Sequence, residues 1–227
     1  LVVLCGLPNS GKSVRTAEIV DYLSKKHPNV DIKVISEDSL NFNRAAAYKN
    51  SKQEKDTRGT LKSEVDRWLT KENLVVLDSL NYIKGFRYEL FCISKAQSSS
   101  HCVVFVDTPI EMCKEWASKG EKDTFPDPLM DELAFRFEKP IGKNRWDAPL
   151  FHLRPLEVIQ PKRREDELLN LEDLVSDKEP DSNKTECEYT YIKDNFILEE
   201  INQALFHGVK PKPNLATVAQ KIEDTNF

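Results

Sequence analysis

Metal-ligand and membrane signals are what this chain has least of. Its five cysteines (Cys5, Cys92, Cys102, Cys113 and Cys187) form no C-x-x-C pair, and none of the four histidines stands at ligand spacing from them. That argues against structural zinc. Cys5 and Cys102 sit in apolar, strand-like runs, so the scattered, odd-numbered set reads as buried thiols in a reducing compartment. No apolar run approaches the roughly eighteen residues of a membrane-spanning helix, so no membrane association is expected. There is no internal repeat and no heptad seam, which leaves solenoids and coiled coils aside.

Charge is plentiful but uneven. The 227 residues carry a net −5. Between Glu165 and Asp194 there are 11 acidic and 3 basic residues, while the remainder has 27 acidic and 30 basic, a net +3. The bulk acidity therefore belongs to one segment. The rest is mildly basic, which permits contact with nucleic acid without requiring it. The length suits one α/β domain with an appendage.

The opening residues are the most informative. The run Leu1-Val2-Val3-Leu4-Cys5 leads into Gly6-Leu7-Pro8-Asn9-Ser10-Gly11-Lys12-Ser13, which fits the P-loop pattern G-x-x-x-x-G-K-[ST]. Thr16, Ile19, Val20 and Leu23 then recur at helical spacing. A strand, a glycine turn and a helix N-terminus form an anion site, because unpaired backbone N–H groups and the helix dipole point the same way. Gly6, Leu7, Pro8, Asn9, Ser10, Gly11, Lys12, Ser13 and Val14 are the expected nucleotide-binding residues. Lys12 would reach the β- and γ-phosphates, and the Ser13 hydroxyl would bind Mg²⁺.

Further strands are expected at Asp31–Ser36, Leu74–Asp78, Cys102–Val106 and Leu150–Leu153. Helices between them are marked by Leu61, Val65, Trp68 and Leu69, by Phe86, Leu90 and Ile93, and by Leu129, Leu133 and Phe137 before Pro140. Strands apolar on both faces alternating with helices predict an α/β P-loop NTPase fold. It would have a five-stranded, mainly parallel sheet, helices on both faces and an arginine-bearing lid. The expected organisation is an ATPase core over 1–160 with its lid around 110–149, then an acidic linker or loop over 161–194. A C-terminal helix and a proline-containing tail would occupy 195–227. A solvated helix at Glu165–Val175 is the alternative for part of the linker. Ile197, Ile201, Ala204 and Leu205 carry the last helix, with Gly208 as its C-terminal cap.

Ligands in such sheets bind beyond the carboxyl ends of the strands. Asp78 closes the third strand in the Walker B position, where a carboxylate holds the waters around Mg²⁺; capping the next helix is its other reading. Asp38, after the second strand, would orient a water or acceptor hydroxyl, with Glu37 as its substitute. Phosphoryl transfer spreads charge over three oxygens that a guanidinium can bridge, so Arg136 and Arg145 are the candidate lid arginines. Arg58 and Arg87 are further ones, and a surface ion pair is the alternative for each. In Asn81–Glu89, aromatic and basic residues alternate. Lys84, Arg87 and Tyr88 are placed to touch RNA or another acceptor, whereas Phe86 packs on the sheet.

Three segments together carry a resemblance. They are Leu4–Ser13, the stretch Leu77-Asp78-Ser79-Leu80-Asn81-Tyr82-Ile83-Lys84-Gly85-Phe86-Arg87-Tyr88-Glu89, and Arg136-Phe137-Glu138 with Asn144-Arg145-Trp146-Asp147-Ala148-Pro149-Leu150-Phe151. The chain resembles the Elongator-associated killer-toxin-insensitivity accessory ATPase family and is similar, more distantly, to phosphoseryl-tRNA kinase. The resemblance implies an ATPase that uses Mg²⁺ and ATP, binds tRNA, works with the Elongator complex and supports wobble-uridine modification. It also implies a cytoplasmic, and also nuclear, protein. The relatives continue into a helical tRNA-binding domain beyond the equivalent of Phe227, so tRNA binding by these residues alone is expected to be weak. A monomer is expected.

Two other functions stay open on sequence. One is a kinase that passes the γ-phosphoryl group to an RNA-linked or small hydroxyl acceptor. The other is a non-catalytic scaffold whose nucleotide site only stabilises the fold.

Overall fold

The computed structural model of the protein describes residues 1–119, 125–154, 186–190 and 196–207. Six strands form one sheet in the order β2-β3-β1-β4-β5-β6. They are β1 (Val2–Cys5), β2 (Ile32–Ser36), β3 (Leu74–Asp78), β4 (Cys102–Val106), β5 (Leu150–Arg154) and β6 (Glu186–Thr190). Every pairing is parallel. The five strands expected from sequence are all present. The sixth is a correction: residues 186–190 lie in the acidic stretch read as a linker, yet their backbone pairs with β5. Residues 161–185 and 191–194 of that stretch, with Gly208, lie outside the described residues.

The central strands are buried at every position, which is why they read as unbroken apolar runs rather than alternating ones. Side chains still alternate between faces. Val2, Leu4, Val76 and Val104 meet Ile19 and Leu23 of helix α1 (Lys12–Lys26) and Ile201 of helix α7 (Phe196–Asn202). On the opposite face Val3, Val75, Leu77 and Val103 meet Leu61 and Val65 of α3 (Ser51–Trp68) and Phe86 and Leu90 of α4 (Lys84–Ala96). Each fully buried aliphatic side chain contributes roughly 1.5–3 kcal/mol, so β1 gives the loop that follows it a rigid root.

Two expected helix faces shift at their ends. Trp68 is the last residue of α3 and stays 36% exposed, while Leu69 just beyond takes the inward place. Lys33 Nζ lies 4.8 Å above the Trp68 ring. The helix carrying Leu129 and Leu133, α6 (Asp127–Phe135), ends before Phe137. Freed from helical geometry, Phe137 packs beside Tyr82 and Phe105.

A third apolar cluster covers the carboxyl end of the sheet. It joins Ala47 and Tyr48 from the short α2 (Arg44–Ala47) and its C-cap, Leu80 and Tyr82 from the β3–α4 connection, Cys113 of α5 (Ile110–Lys119), and Phe125, Met130 and Leu133. This cluster walls the cleft described next.

Candidate active site

The P-loop leaves β1 at the sheet's centre, between β3 and β4. Gly6 has no room for a side chain: a Cβ there would stand 2.7 Å from the Val106 carbonyl oxygen and 2.7 Å from Ser10 Oγ. Gly11 adopts φ 92° at the N-cap of α1, a left-handed conformation that only glycine takes without cost. The loop is pinned from several sides. Gly6 N–H donates to Leu80 O at 3.2 Å, Thr108 Oγ1 donates to Ser10 O at 2.9 Å, and Asn81 Nδ2 donates to Leu4 O at 2.6 Å.

Lys12 is buried in the loop it belongs to. Its Nζ donates to Leu7 O at 2.5 Å, Gly6 O at 3.2 Å and Ser10 Oγ at 3.4 Å. Burial pulls its pKa below the ordinary lysine value, and the charges of Asp78 and Glu37 oppose that shift. The ammonium is therefore held among oxygen acceptors and carboxylates, in a place where another anion would be welcome.

Beside the loop lies a cavity of about 280 Å³. Lys12, Ser13 and Val14 line one side, Asp78, Ser79 and Leu80 the end of β3, and Glu37 and Arg44 the end of β2 and the start of α2. Trp116 and Phe125 close it with aromatic surface. Ser13 is exposed at the first turn of α1, and Asp78 is buried at the last position of β3. Register places Asp78 opposite Leu4 and Ser36, so both neighbouring strands hold its backbone.

Among the described residues no group of three histidine, cysteine or acidic side chains could hold a metal alone. The donor set that is present, one hydroxyl and one carboxylate opening into the same cavity, fits Mg²⁺. That ion keeps several waters and binds through one or two carboxylates plus phosphate oxygens.

Glu37 is, with Asp78, a buried carboxylate of the cleft. Tyr48 Oη donates to its Oε1 at 2.5 Å and Ser79 Oγ at 2.6 Å. Burial and the adjacent Glu37 push the Tyr48 phenol well above its ordinary pKa, so it is a fixed neutral donor. Both donors meet the same oxygen, Oε1.

The sequence-derived candidates divide plainly. Pro8 to Val14, with Lys12 and Ser13 among them, and Asp78 line one cavity; Gly6 and Leu7 do not line it, and their carbonyl oxygens instead accept from Lys12. Asp38 does not line the cavity: it is exposed and binds Arg44, with Nε donating to Oδ1 at 2.8 Å and Nη2 to Oδ2. Its neighbour Glu37, the N-cap of the 3-10 turn Asp38–Leu40, is buried and lines the cavity. Arg136 caps the end of α6, pairs with Glu54 at 3.0 Å and Glu132 at 3.2 Å, and stacks over Tyr82. Arg145 is exposed in the 141–147 turns. Neither lines the cavity. Arg58 is committed to Glu54.

Arg87 requires a correction. It is fully buried, not a surface contact for RNA: Nε donates to Asp147 at 2.7 Å and Nη1 to Asn81 O at 3.0 Å. Lys84 and Tyr88 are exposed and frame Trp146, with Lys84 Nζ 5.6 Å above the ring and Tyr88 edge-on at 5.4 Å. Arg44, Tyr48, Ser79, Trp116 and Phe125 were not singled out for this site from sequence. Ser79 adjoins Asp78, the one local signal available; the other four stand far from the P-loop in sequence and carry no motif.

Comparisons with known proteins identify the family. A family model described as "Chromatin associated protein KTI12" matches residues 1–227. A Xenopus laevis KTI12 homolog is 37% identical over 228 residues, covering 100% of this chain and 69% of its own length. Saccharomyces cerevisiae KTI12 is 32% identical over 234 residues, covering 100% of this chain and 68% of its own. A rice homolog is 44% identical over 158 residues, covering 68% of this chain and 52% of its own. The chain thus spans about half the length of the rice relatives it matches. Among solved structures, that of Chaetomium thermophilum Kti12 in complex with ADP-AlF3 superposes with a TM-score of 0.67 at 25% identity, covering 90% of this chain and 98% of the other.

Proposed function

The chain belongs to the KTI12 family, and on that premise we propose that it binds Mg²⁺ and ATP and hydrolyses the nucleotide as a regulatory factor of the Elongator complex. The observation that carries this reading is the convergence of Lys12, Ser13, Asp78 and Glu37 on one cavity at the carboxyl end of the sheet. The Chaetomium relative in complex with ADP-AlF3, where aluminium fluoride stands in for a phosphoryl group, supports the same ligand class.

In this reading the free N–H groups at the start of α1 receive the phosphates. Lys12 turns from the loop carbonyls to oxygens of the β- and γ-phosphates. Ser13 directly, and Asp78 through water, would hold Mg²⁺, which supplies charge neutralisation at those oxygens. Glu37 orients a water on the far side of the γ-phosphorus. The water oxygen bonds to phosphorus as the bond to the β,γ-bridging oxygen breaks. ADP leaves with that electron pair, and the water's proton passes to Glu37 Oε2 and on to solvent.

In the rest of the proposal, the factor binds tRNA and supports wobble-uridine modification. It acts as a monomer away from membranes, in the cytoplasm and also in the nucleus. The exposed Lys84 and Tyr88, beside the half-buried Trp146, form the proposed RNA-facing surface, since a base can stack on an aromatic face beside a cation. Contact by these residues alone is weak in this reading.

Incubation with γ-labelled ATP and bulk tRNA tests the function. Label released as inorganic phosphate is the expected result. Label on RNA would replace hydrolysis by kinase chemistry, and no consumption would leave a scaffold.

A further inference from the structure

Arg44 is the only arginine lining the cavity among the described residues. It opens α2, directly after Asn43, whose Oδ1 caps the helix by accepting from Ala46 N–H at 2.8 Å. Between β2 and that cap the chain reverses tightly. Phe42 N–H donates to Glu37 O at 2.9 Å, and Asn41 adopts φ 56°. The reversal brings the guanidinium back over the end of β2, on the same wall of the cleft as Glu37. Lys12 and Ser13, at the phosphate-receiving start of α1, line the same cavity.

Asp38 grips Arg44 side-on through Nε and Nη2. A guanidinium held along one edge is fixed in plane and direction, and its Nη1 edge is not used by that carboxylate. The charge pattern also favours an incoming anion. Two cations, Lys12 and Arg44, and two carboxylates, Glu37 and Asp78, line the cavity. Magnesium at Asp78 would bring two further positive charges, balancing both carboxylates and leaving the charges of Lys12 and Arg44 for a phosphoryl group. Of the two lid candidates, Arg136 is paired with Glu54 and Glu132, and neither it nor Arg145 lines the cavity.

We propose that Arg44 is the catalytic arginine of this site, bridging oxygens of the phosphoryl group under transfer, and that Asp38 is its positioning residue. The proposal rests on the reading of the cleft as an Mg²⁺-ATP hydrolysis site and adds the residue that stabilises its transition state. Its chemical ground is that donors aimed at developing charge act most strongly when they need not reorganise.

The test uses the full chain with bulk tRNA present. MgADP affinity is measured with and without aluminium fluoride, together with steady-state hydrolysis, for wild type, Arg44→Ala, Arg44→Lys and Asp38→Asn. For Arg44→Ala the expected result is MgADP affinity within about threefold of wild type and loss of about 10²–10³-fold in both kcat and the affinity gained with aluminium fluoride. Arg44→Lys restores part of it. Asp38→Asn lowers kcat about tenfold with KM nearly unchanged, a split that a merely structural role would not produce. Melting temperatures matching wild type guard against misfolding. Wild-type protein that gains affinity with fluoride and hydrolyses ATP, alongside an Arg44→Ala variant that does the same at equal rate, overturns the role of Arg44 alone. Wild-type protein that binds no nucleotide overturns the cleft's reading and this proposal together.

Discussion

Arg87 and Asp147 form a fully buried ion pair, Nε to Oδ1 at 2.7 Å, that joins helix α4 to the turn before β5. Asp147 Oδ2 also accepts from the Ile141 backbone N–H at 3.1 Å, and Arg87 Nη1 reaches Asn81 O just after the Walker B strand. The two sequence stretches that most specifically carry the family resemblance, Asp78–Glu89 and Asn144–Phe151, are thus two halves of one interior contact. Breaking a buried pair strands the remaining charge, which typically costs about 3–5 kcal/mol. Asp147→Ala should destabilise the protein by that amount, and Arg87→Met with Asp147→Leu should recover much of it. Equilibrium denaturation measures both. If Asp147→Ala leaves stability unchanged, the pair is not the strut described.

Gly6→Ala separates loop geometry from charge. A methyl group 2.7 Å from the Val106 carbonyl must push backbone, not a flexible side chain. Overpacking of this kind costs about 1–3 kcal/mol. The variant should fold with a lowered melting temperature and bind MgADP at least about tenfold more weakly, since displaced N–H groups no longer match the phosphates. Calorimetric titration reads the affinity; wild-type binding would show that the loop tolerates the shift.

Lys12 and Glu37 should separate by kinetic signature. Lys12→Ala removes a counter-ion at the β/γ oxygens and should abolish most hydrolysis, by about 10²-fold or more. Glu37→Gln keeps an acceptor for Tyr48 and Ser79 but loses the proton acceptor. It should lower kcat by about 10²-fold while nucleotide affinity holds. Normal turnover by either variant would contradict the mechanism.

His101 gives the fold a pH dependence. Burial lowers its pKa from 6.5 to about 3. Its Nε2 lies 3.0 Å from the Trp146 carbonyl oxygen, to which the neutral ring donates. Between those two pKa values the unfolded chain binds a proton that the native protein refuses. The contribution is complete above pH 6.5 and falls away as pH drops toward 3, by about 1.4 kcal/mol per unit. Chemical denaturation at pH 7 and pH 5 should show a smaller pH difference for His101→Gln than for wild type. An identical difference in the two proteins would mean the ring is protonated in the fold.

Much of the fold was legible because parallel strands buried on both faces announce themselves as apolar runs, and the P-loop carries its own spacing. The sixth strand was not, since β6 joins β5 by backbone pairing within a strongly acidic stretch. Asp38 and Glu37 show the same limit at the site. Both follow β2, and adjacency alone cannot say which faces the cleft. The 3-10 turn that follows β2 spans three residues, too few for a period to show in the sequence.

Local order along the chain determined the phosphate cradle: Gly6, Gly11, Lys12 and Ser13 are close in sequence, so strand, turn and helix assemble their geometry with little help. What surrounds the cradle was decided by tertiary structure. Arg44 reaches the cavity because α2 folds back over β2, while Arg87, equally basic, is buried against Asp147 sixty residues away. A guanidinium's role depends on which carboxylate and how much water it meets, and both are set by packing between distant segments.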